Sequence, residues 1–334
     1  ASGTALVSLA GIDYTLLSQA GRVRIDTPSK IRDTQLSAVG KDGAELGSPI
    51  TVQSLNIGST QNFEVTETLI DQIRFTDPAE SSLTLQAGSS GNGDLSFGES
   101  SSGGGITIAA EKIQLLAGGP AASGTSQITF DDNRLPTFTG ANGNQTSPKD
   151  FLFRQSRSVF LDDLPDAALF GDGIGPTDLF AIQSDGGNIE LGNPITVAGT
   201  GRLVASATVV AFESQDEDLD MGTRPVEIQA TLLELTALTS TESGSMPIVD
   251  ASSIDLLSGF SPGSLEPNSA PDSLPVEIVV RQSGTVTGAR LPTAASWQGG
   301  AGPDGVFYTV NSTEAEIDLG AAGDASRVEG SRLL

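Results

Sequence analysis

Hydrophobic and polar residues alternate over short runs along this chain, and glycine, serine, proline and asparagine separate the runs. Alternation with a period of two places successive side chains on opposite faces, as in a β-strand. Between residues 48 and 88 such runs recur at nearly even spacing, at 50–52, 55–57, 63–65, 73–75 and 83–85. The pattern predicts many short strands joined by tight turns. Further strands are predicted at 22–26, 187–192, 194–197, 203–212 and 226–228.

Two longer stretches predict pairs of strands that meet at a corner. Residues 106–115 align with residues 226–235 at an offset of 120, and their apolar positions coincide. The phase of the alternation changes across 110–112 and across 230–232, as expected where a chain passes from one face of a coil to the next. A helix is the alternative for residues 109–117, but the run is short and glycines flank it.

A longer repeat organises the second half of the chain. Residues 148–180 recur at 275–307, an offset of 127, and 13 of the 33 aligned positions are identical. Self-similarity at a fixed offset indicates a stacked or tandem architecture. We therefore assign a structural role to its most distinctive positions, which are Arg154, Gln155, Leu164, Pro165 and Phe170 with their counterparts Arg281, Gln282, Leu291, Pro292 and Trp297.

Each copy of this repeat contains a predicted helical turn, at 164–170 and 291–297. Proline suits the first turn of a helix, and Asp162 or Asp163 can cap the first copy. The turn would place Phe170 or Trp297 over an open apolar face as a packed lid. A ligand-binding aromatic is the alternative.

The repeats divide the chain into three parts. Residues 1–88 are predicted to form solenoid turns. Within them, residues 19–23 resemble residues 282–286, which suggests an eroded third copy of the repeat. Residues 89–212 form one repeat unit with an insertion at 131–185. Residues 213–334 form a second unit with an insertion at 261–307.

Composition and charge limit the possible partners. The chain has 42 acidic and 17 basic residues, a net charge of −25, and neither cysteine nor histidine. Such a chain lacks the basic surface that binds nucleic acid or anionic membranes. It also lacks thiol nucleophiles, disulfides and most ligands for zinc, copper or haem. No apolar stretch is long enough for a membrane-spanning helix.

The segments GGGITIAAEKIQLLAGG and GGNIELGNPITVAGTGRLVASA resemble the shaft repeats of filamentous-haemagglutinin-type exoproteins, the adhesins of two-partner secretion. The resemblance implies a right-handed parallel β-helix, export as an unfolded chain, and adhesive or structural work at the cell surface. It covers about half of the chain. The repeat here is 120 to 127 residues rather than about 20, and the amino-terminal secretion domain of the family is not recognisable.

We therefore predict an all-β chain folded as a parallel β-helix, or solenoid, with repeated insertions. Small and β-branched residues suit the narrow interior of a solenoid, and aromatic residues make up only 5 % of the chain. Tandem β-sandwich domains of about 120 residues are the alternative.

One acidic stretch is a candidate metal site. Asp216, Asp218 and Asp220 alternate along the chain, and Glu227 stands at the twelfth position from Asp216. Carboxylates at such spacing bind Ca²⁺ in calcium-binding loops. The glycine that such a loop requires is displaced by one residue, to Gly222, and a solvated acidic loop is the alternative.

The expected function is a non-enzymatic structural or adhesive segment of a large secreted, extracellular protein or filament. Its partners would be other copies of the chain or a cell-surface glycan receptor, with no cofactor except possible Ca²⁺. One alternative is a fibre subunit that docks end to end. Another is a polysaccharide lyase or glycosidase, since parallel β-helices also carry such sites, which need paired carboxylates or a basic residue beside them.

Overall fold

The computed structural model describes the larger part of the chain, in two compact units, 1–156 and 157–334. The described residues are 13–26, 35–98, 106–119, 122–130, 136–140, 148–160, 163–164, 179–192, 202–214, 219–220, 226–230, 232–238, 248–249, 254–256, 277–283, 286–287, 307–312, 317–318 and 332–333. The predicted three-part division of the chain stays a prediction.

Short strands make up most of the described part of the first unit. They are β1 (Tyr14–Ser18), β2 (Val23–Ile25), β3 (Gln35–Gly40), β4 (Ala44–Leu46), β5 (Ile50–Val52), β6 (Ser54–Ser59), β7 (Phe63–Val65), β8 (Ile73–Phe75), β9 (Ser82–Ala87), β10 (Leu95–Phe97), β11 (Thr107–Ala109), β12 (Lys112–Ala117), β13 (Ile128–Thr129), β14 (Thr137–Thr139) and β15 (Asp150–Gln155). A five-residue helix, α1 (Glu67–Asp71), begins after Thr66, whose hydroxyl accepts a hydrogen bond from the Leu69 amide. A 3-10 turn spans Pro78–Glu80.

The strands of the first unit stack turn upon turn. The long strands form one sheet in the order β1-β3-β6-β9-β12-β15, which we call the long sheet. The shorter strands form a three-stranded sheet, β7-β10-β13, and the pairs β2-β4, β5-β8 and β11-β14. A complete turn therefore contributes one long strand and two short ones, as β6, β7 and β8 do.

The second unit repeats this plan. Its strands are β16 (Val159–Phe160), β17 (Leu179–Ser184), β18 (Ile189–Gly192), β19 (Arg202–Ser206), β20 (Val209–Ser214), β21 (Leu219–Asp220), β22 (Val226–Gln229), β23 (Leu232–Ala237), β24 (Ile248–Val249), β25 (Ile254–Leu256), β26 (Glu277–Gln282), β27 (Val286–Thr287), β28 (Phe307–Ser312), β29 (Ile317–Asp318) and β30 (Arg332–Leu333). Seven of them form the sheet β16-β18-β20-β23-β26-β28-β30, beside which lie the series β17-β19-β22-β25 and the pairs β21-β24 and β27-β29.

Every strand pairing given for the described residues is parallel and joins successive turns. The prediction of an all-β parallel β-solenoid is confirmed. Tandem β-sandwiches are excluded for the described strands, because sandwich domains are built from antiparallel sheets. Residues 109–117 form strands β11 and β12 with a corner between them, so the helical alternative was wrong.

Inward side chains of successive turns lie in register and form continuous columns. In the first unit one column runs through β3, β6, β9, β12 and β15, and consists of Leu36, Leu55, Leu83, Ile113 and Phe151. All of these side chains are buried. A strand therefore gains its apolar contacts from the turns before and after it, which is why the alternating sequence pattern recurs in turn after turn.

Four phenylalanines, Phe97, Phe130, Phe138 and Phe151, pack together in the first unit. The rings of Phe97 and Phe130 lie 5.0 Å apart, and those of Phe138 and Phe151 lie 5.1 Å apart at 72°. Such tilted and edge-to-face contacts are the preferred geometry of aromatic pairs. The cluster fills the turns that contain β10, β14 and β15.

The length of a turn varies widely. Register partners are 19 residues apart between Leu36 and Leu55, but 45 residues apart between Leu233 and Ile278. The long repeat therefore contains several turns. Within the second unit, β16, β17, β18 and β19 correspond to β27, β28, β29 and β30 at offsets of 127 to 130, obtained by subtracting their first residue numbers.

These two copies do not occupy the same faces of the second unit. Strands β16 and β18 pair within the seven-stranded sheet, whereas their counterparts β27 and β29 form a separate pair. Likewise β17 pairs with β19 beside that sheet, whereas β28 and β30 belong to it. From β16 the sheet passes through β18, β20 and β23 to β26, and β27 follows on the next face. Over one repeat length the chain thus completes four turns and moves on to the next face of the coil.

One predicted strand was wrong in extent. Residues 203–212 form two strands, β19 and β20, separated by Ala207 and Thr208. Ala207 stands at the corner and is completely buried. The apolar pattern of the sequence therefore continues without a break from one strand to the next, and the corner cannot be seen in it. The predicted strand at 194–197 and most of both predicted lid turns lie outside the described residues; Leu164 is described and is buried.

Candidate functional site

The duplicated glutamines lie at equivalent corners in the two units. The Gln155 side-chain oxygen accepts a hydrogen bond of 2.9 Å from the Ile128 amide, at the start of β13. The Gln282 oxygen accepts one of the same length from the Ile248 amide, at the start of β24. Both glutamines are buried at the end of a six-residue strand. Each therefore supplies the acceptor that a backbone amide needs at a corner, where a neighbouring carbonyl does not meet it.

Serines at similar corners also satisfy main-chain groups, and they were not identified from the sequence. The Ser59 hydroxyl donates to the Lys41 carbonyl at 2.8 Å and accepts from the Gln61 amide at 2.9 Å. The Ser184 hydroxyl makes the same two contacts, to the Arg157 carbonyl at 2.9 Å and from the Gly187 amide at 3.0 Å. The available signal was the serine that ends or follows most six-residue strands, as in the repeated Ser156 and Ser283.

Replacement of Gln155 by methionine is expected to lower the free energy of unfolding by about 1–3 kcal/mol, because the buried Ile128 amide loses its acceptor. Gln282→Met should have a similar effect through Ile248. Urea denaturation followed by circular dichroism measures both. The matched control is Gln35→Met, since Gln35 is exposed. Equal midpoints for Gln155→Met and Gln35→Met would show that the corner hydrogen bond contributes nothing.

The other repeat positions divide between described and undescribed residues. Arg154 is half-buried on the outward side of β15, and Arg281 is exposed on β26. Leu164 is buried. The positions outside the described residues are Pro165, Phe170, Leu291, Pro292 and Trp297. Their lid role stays a prediction.

The candidate calcium site also lies largely outside the described residues. Asp216 and Asp218 are not described, and Asp220 is described only as the second residue of β21. Glu227 is half-buried in β22, where it lies opposite Val204. Within the described ranges no group of three or more acidic side chains could hold a metal ion. Calcium binding at 216–227 stays a prediction.

A surface groove of about 530 Å³ crosses the corner between the first turns of the first unit. Charged and amide side chains line it, and these are Arg22, Asp42, Glu45, Asn62 and Glu64. The Arg22 guanidinium is paired with the Glu45 carboxylate at 3.2 Å, and both side chains are well exposed. A shallower recess beside it shares Asp42 and Asn62. The groove therefore presents acidic groups to solvent, with one arginine already paired.

No protein-family model, no curated protein and no solved structure matches this chain. The resemblance to filamentous-haemagglutinin-type shafts therefore stays an expectation. In the part of the chain that the structure describes, none of the helices has the length and hydrophobicity needed to cross a membrane.

Two neighbouring ion pairs, with their charges in opposite order, join β12 to β15 and favour one register. Lys112 lies opposite Asp150 and contacts it at 3.3 Å, while Lys149 contacts the buried Glu111 at 3.4 Å. A slip of one residue would place Lys112 opposite Lys149, or Glu111 opposite Asp150. Like charges directly opposite each other are unfavourable, so the pairs oppose a slip in either direction.

One further ion pair lies on the second strand. Arg24 donates a hydrogen bond of 2.7 Å to Asp26. This bond, together with the negative charges of Asp26 and Glu45, raises the pKa of the Arg24 guanidinium. The pair lies on the exposed surface of the first unit.

Proposed function

We propose that this chain is a non-enzymatic structural or adhesive segment of a large extracellular or cell-surface protein. The observation that carries the proposal is the stacking of parallel turns, in which each strand is held by the turn before and the turn after. Such a ladder is a stiff support whose outward side chains recur at strand spacing. Segments of this kind can be lengthened without changing how any one turn is stabilised.

The charge of the chain supports the same proposal. A net charge of −25 keeps neighbouring copies apart and suits surroundings rich in salt or divalent cations. The buried corner residues also serve the backbone: Gln155 and Ser59 each satisfy main-chain groups. The duplicated positions that are described at these corners therefore support the fold, in agreement with a structural role for the repeat.

The location can be tested on intact cells of the source organism with antibodies raised against the purified chain. Gold-labelled antibodies are expected to bind cells that have not been permeabilised, and brief external protease treatment should remove the label. An antibody against a cytoplasmic protein controls for damaged cells. Labelling that appears only after permeabilisation would overturn the proposal.

Polysaccharide cleavage is a second candidate function, favoured by the groove that carries Asp42, Glu45 and Glu64. Purified chain incubated with neutral and acidic polysaccharides would then release reducing ends or unsaturated sugars.

Sedimentation velocity over a range of concentrations tests the other alternative, the end-to-end fibre. A fibre subunit should shift to larger species as concentration rises, whereas an independent segment should not.

A further inference from the structure

The outward face of the long sheet is a regular polar surface. Strands β1, β3, β6, β9 and β12 are paired residue by residue, so their outward side chains form columns. The central column, which we call the polar column, consists of Thr15, Ser37, Asn56, Thr84 and Gln114. Neighbouring members lie about 4.8 Å apart, the spacing of strands in a sheet. The polar column is therefore about 19 Å long.

Side chains along the polar column contact one another. The Asn56 amide donates to the Ser37 hydroxyl at 3.2 Å, and the Thr84 hydroxyl donates to the Gln114 oxygen at 3.3 Å. These contacts fix two neighbouring pairs of side chains within the column. Thr15 and Gln114, at the two ends, are exposed, and the members between them are half-buried. Four of the five members of the polar column are thus held in place before any partner arrives.

This face carries no charge over the three successive strands β3, β6 and β9. The outward positions that flank the polar column there are Gln35, Ser54, Ser82 and Gln86, with the buried Val39 and Gly58 beside them. None of them is acidic or basic, although charged residues make up 18 % of the chain. Charge appears at the two ends of the face, at the exposed Asp13 just before β1 and at Lys112 on β12, which is paired with Asp150. An uncharged face on a chain of net charge −25 marks a place where a neutral partner meets no unpaired charge.

The chemistry of this face excludes most other partners. Acidic polymers need basic groups, cationic partners need carboxylates, and β3, β6 and β9 offer neither on this face. Dry packing of two such sheets needs apolar side chains, whereas the polar column consists of hydroxyls and amides. Hydroxyls and amides both donate and accept hydrogen bonds, as the hydroxyl groups of a sugar do. We infer that the polar column binds an uncharged polysaccharide, lying along the column across successive turns.

This inference deepens the proposed function and rests on it only in bringing the chain into contact with extracellular glycans. Each neutral hydrogen bond contributes little by itself, so affinity has to come from repetition along the column. Binding should therefore require a polymer rather than a single sugar. It should also be insensitive to salt, because a neutral polymer releases no counterions.

The test is co-sedimentation of the full chain with insoluble neutral glucans, cellulose and a β-1,3-glucan, at low and high salt. Polygalacturonate, immobilised on beads so that it can be sedimented, serves as the acidic comparison. We expect binding to a neutral glucan that is unchanged by salt. Thr84→Glu and Thr84→Lys should each weaken it by at least about tenfold, because either charge would be desolvated without a partner. Gln114→Glu provides a second variant should Thr84 variants fail to fold.

The matched control is Thr107→Glu. Thr107 is an exposed strand threonine on β11, in the separate β11-β14 pair, so its replacement should leave binding unchanged. Failure to bind either glucan, or binding unaffected by the Thr84 and Gln114 variants, overturns the inference. The inference is also overturned if Thr84→Lys gains more binding to polygalacturonate than it loses to the glucans. A dimer that forms without glucan and that Thr84→Glu dissociates, measured by sedimentation velocity, overturns it as well. Antibody labelling inside cells only would overturn the proposed function but not a glucan contact measured on purified chain.

Discussion

Replacement of Phe153 by alanine is expected to lower the free energy of unfolding by about 3–5 kcal/mol, the usual cost of removing a buried phenylalanine ring. Phe153 is completely buried and points inward from β15, opposite Leu115 of the preceding turn. The ring fills the interior in turns that contain four packed phenylalanines. The neighbouring turn could collapse into the cavity only by breaking the register of β12 with β15. The two ion pairs between these strands oppose such a shift.

Thermal and urea unfolding monitored by circular dichroism measure this effect. The matched control is Leu152→Ala, because Leu152 is the adjacent residue of the same strand but points outward and is half-buried. Leu152→Ala should cost about 1 kcal/mol or less, as surface substitutions usually do. Similar losses for the two variants would mean that inward and outward positions on β15 do not differ in the way the structure requires.

The second large effect is expected for Gly58→Ala, which should cost about 3 kcal/mol. Gly58 lies in β6, between Val39 of β3 and Gln86 of β9. A Cβ atom at this position would fall well inside van der Waals contact of the Gln86 carbonyl oxygen. The obstacle is backbone in the middle of the long sheet, so relief requires two paired strands to separate locally. Overpacking of this kind typically costs 1–3 kcal/mol, and here the backbone cannot turn away as a side chain would.

Gly91→Ala is the control for this prediction. A Cβ atom at Gly91 would meet no other atom within 4 Å, so the substitution is sterically free. It should leave stability unchanged or raise it slightly, by restricting the unfolded chain. Urea midpoints for the two variants decide the matter. A Gly58→Ala variant as stable as Gly91→Ala would show that β6 and β9 are not as close as described.

Strand positions could be predicted from the sequence because the signal is local. Predicted strands at 50–52, 63–65 and 73–75 coincide with β5, β7 and β8. Each inward residue faces the same column as its counterparts in other turns, so a period of two is imposed on every strand. Corners give no such signal when the corner residue is itself apolar. For this reason residues 203–212 were predicted as one strand although the chain bends at Ala207.

Turn length and surface chemistry could not be predicted in the same way. The distance along the chain between stacked strands varies from 19 to 45 residues, because excursions between strands do not alter the pairing. The polar column was also missed, since Ser37, Asn56 and Thr84 are separated by 19 and 28 residues. Only the register of the long sheet brings them together. A structural role for the duplicated glutamines was predicted from their recurrence alone, and only the structure shows the amides that bond to them, those of Ile128 and Ile248.

The advance of four turns and one face has a consequence for how such genes grow. A duplicated stretch of DNA need not encode a whole number of turns, because in the second unit equivalent strands pair successfully on different faces. A duplication that ends part-way through a turn can therefore yield a chain that still folds. The copied side chains then point in a new direction from the coil axis. Duplication in this protein lengthens the coil and, in the same event, presents an inherited surface pattern to a different side.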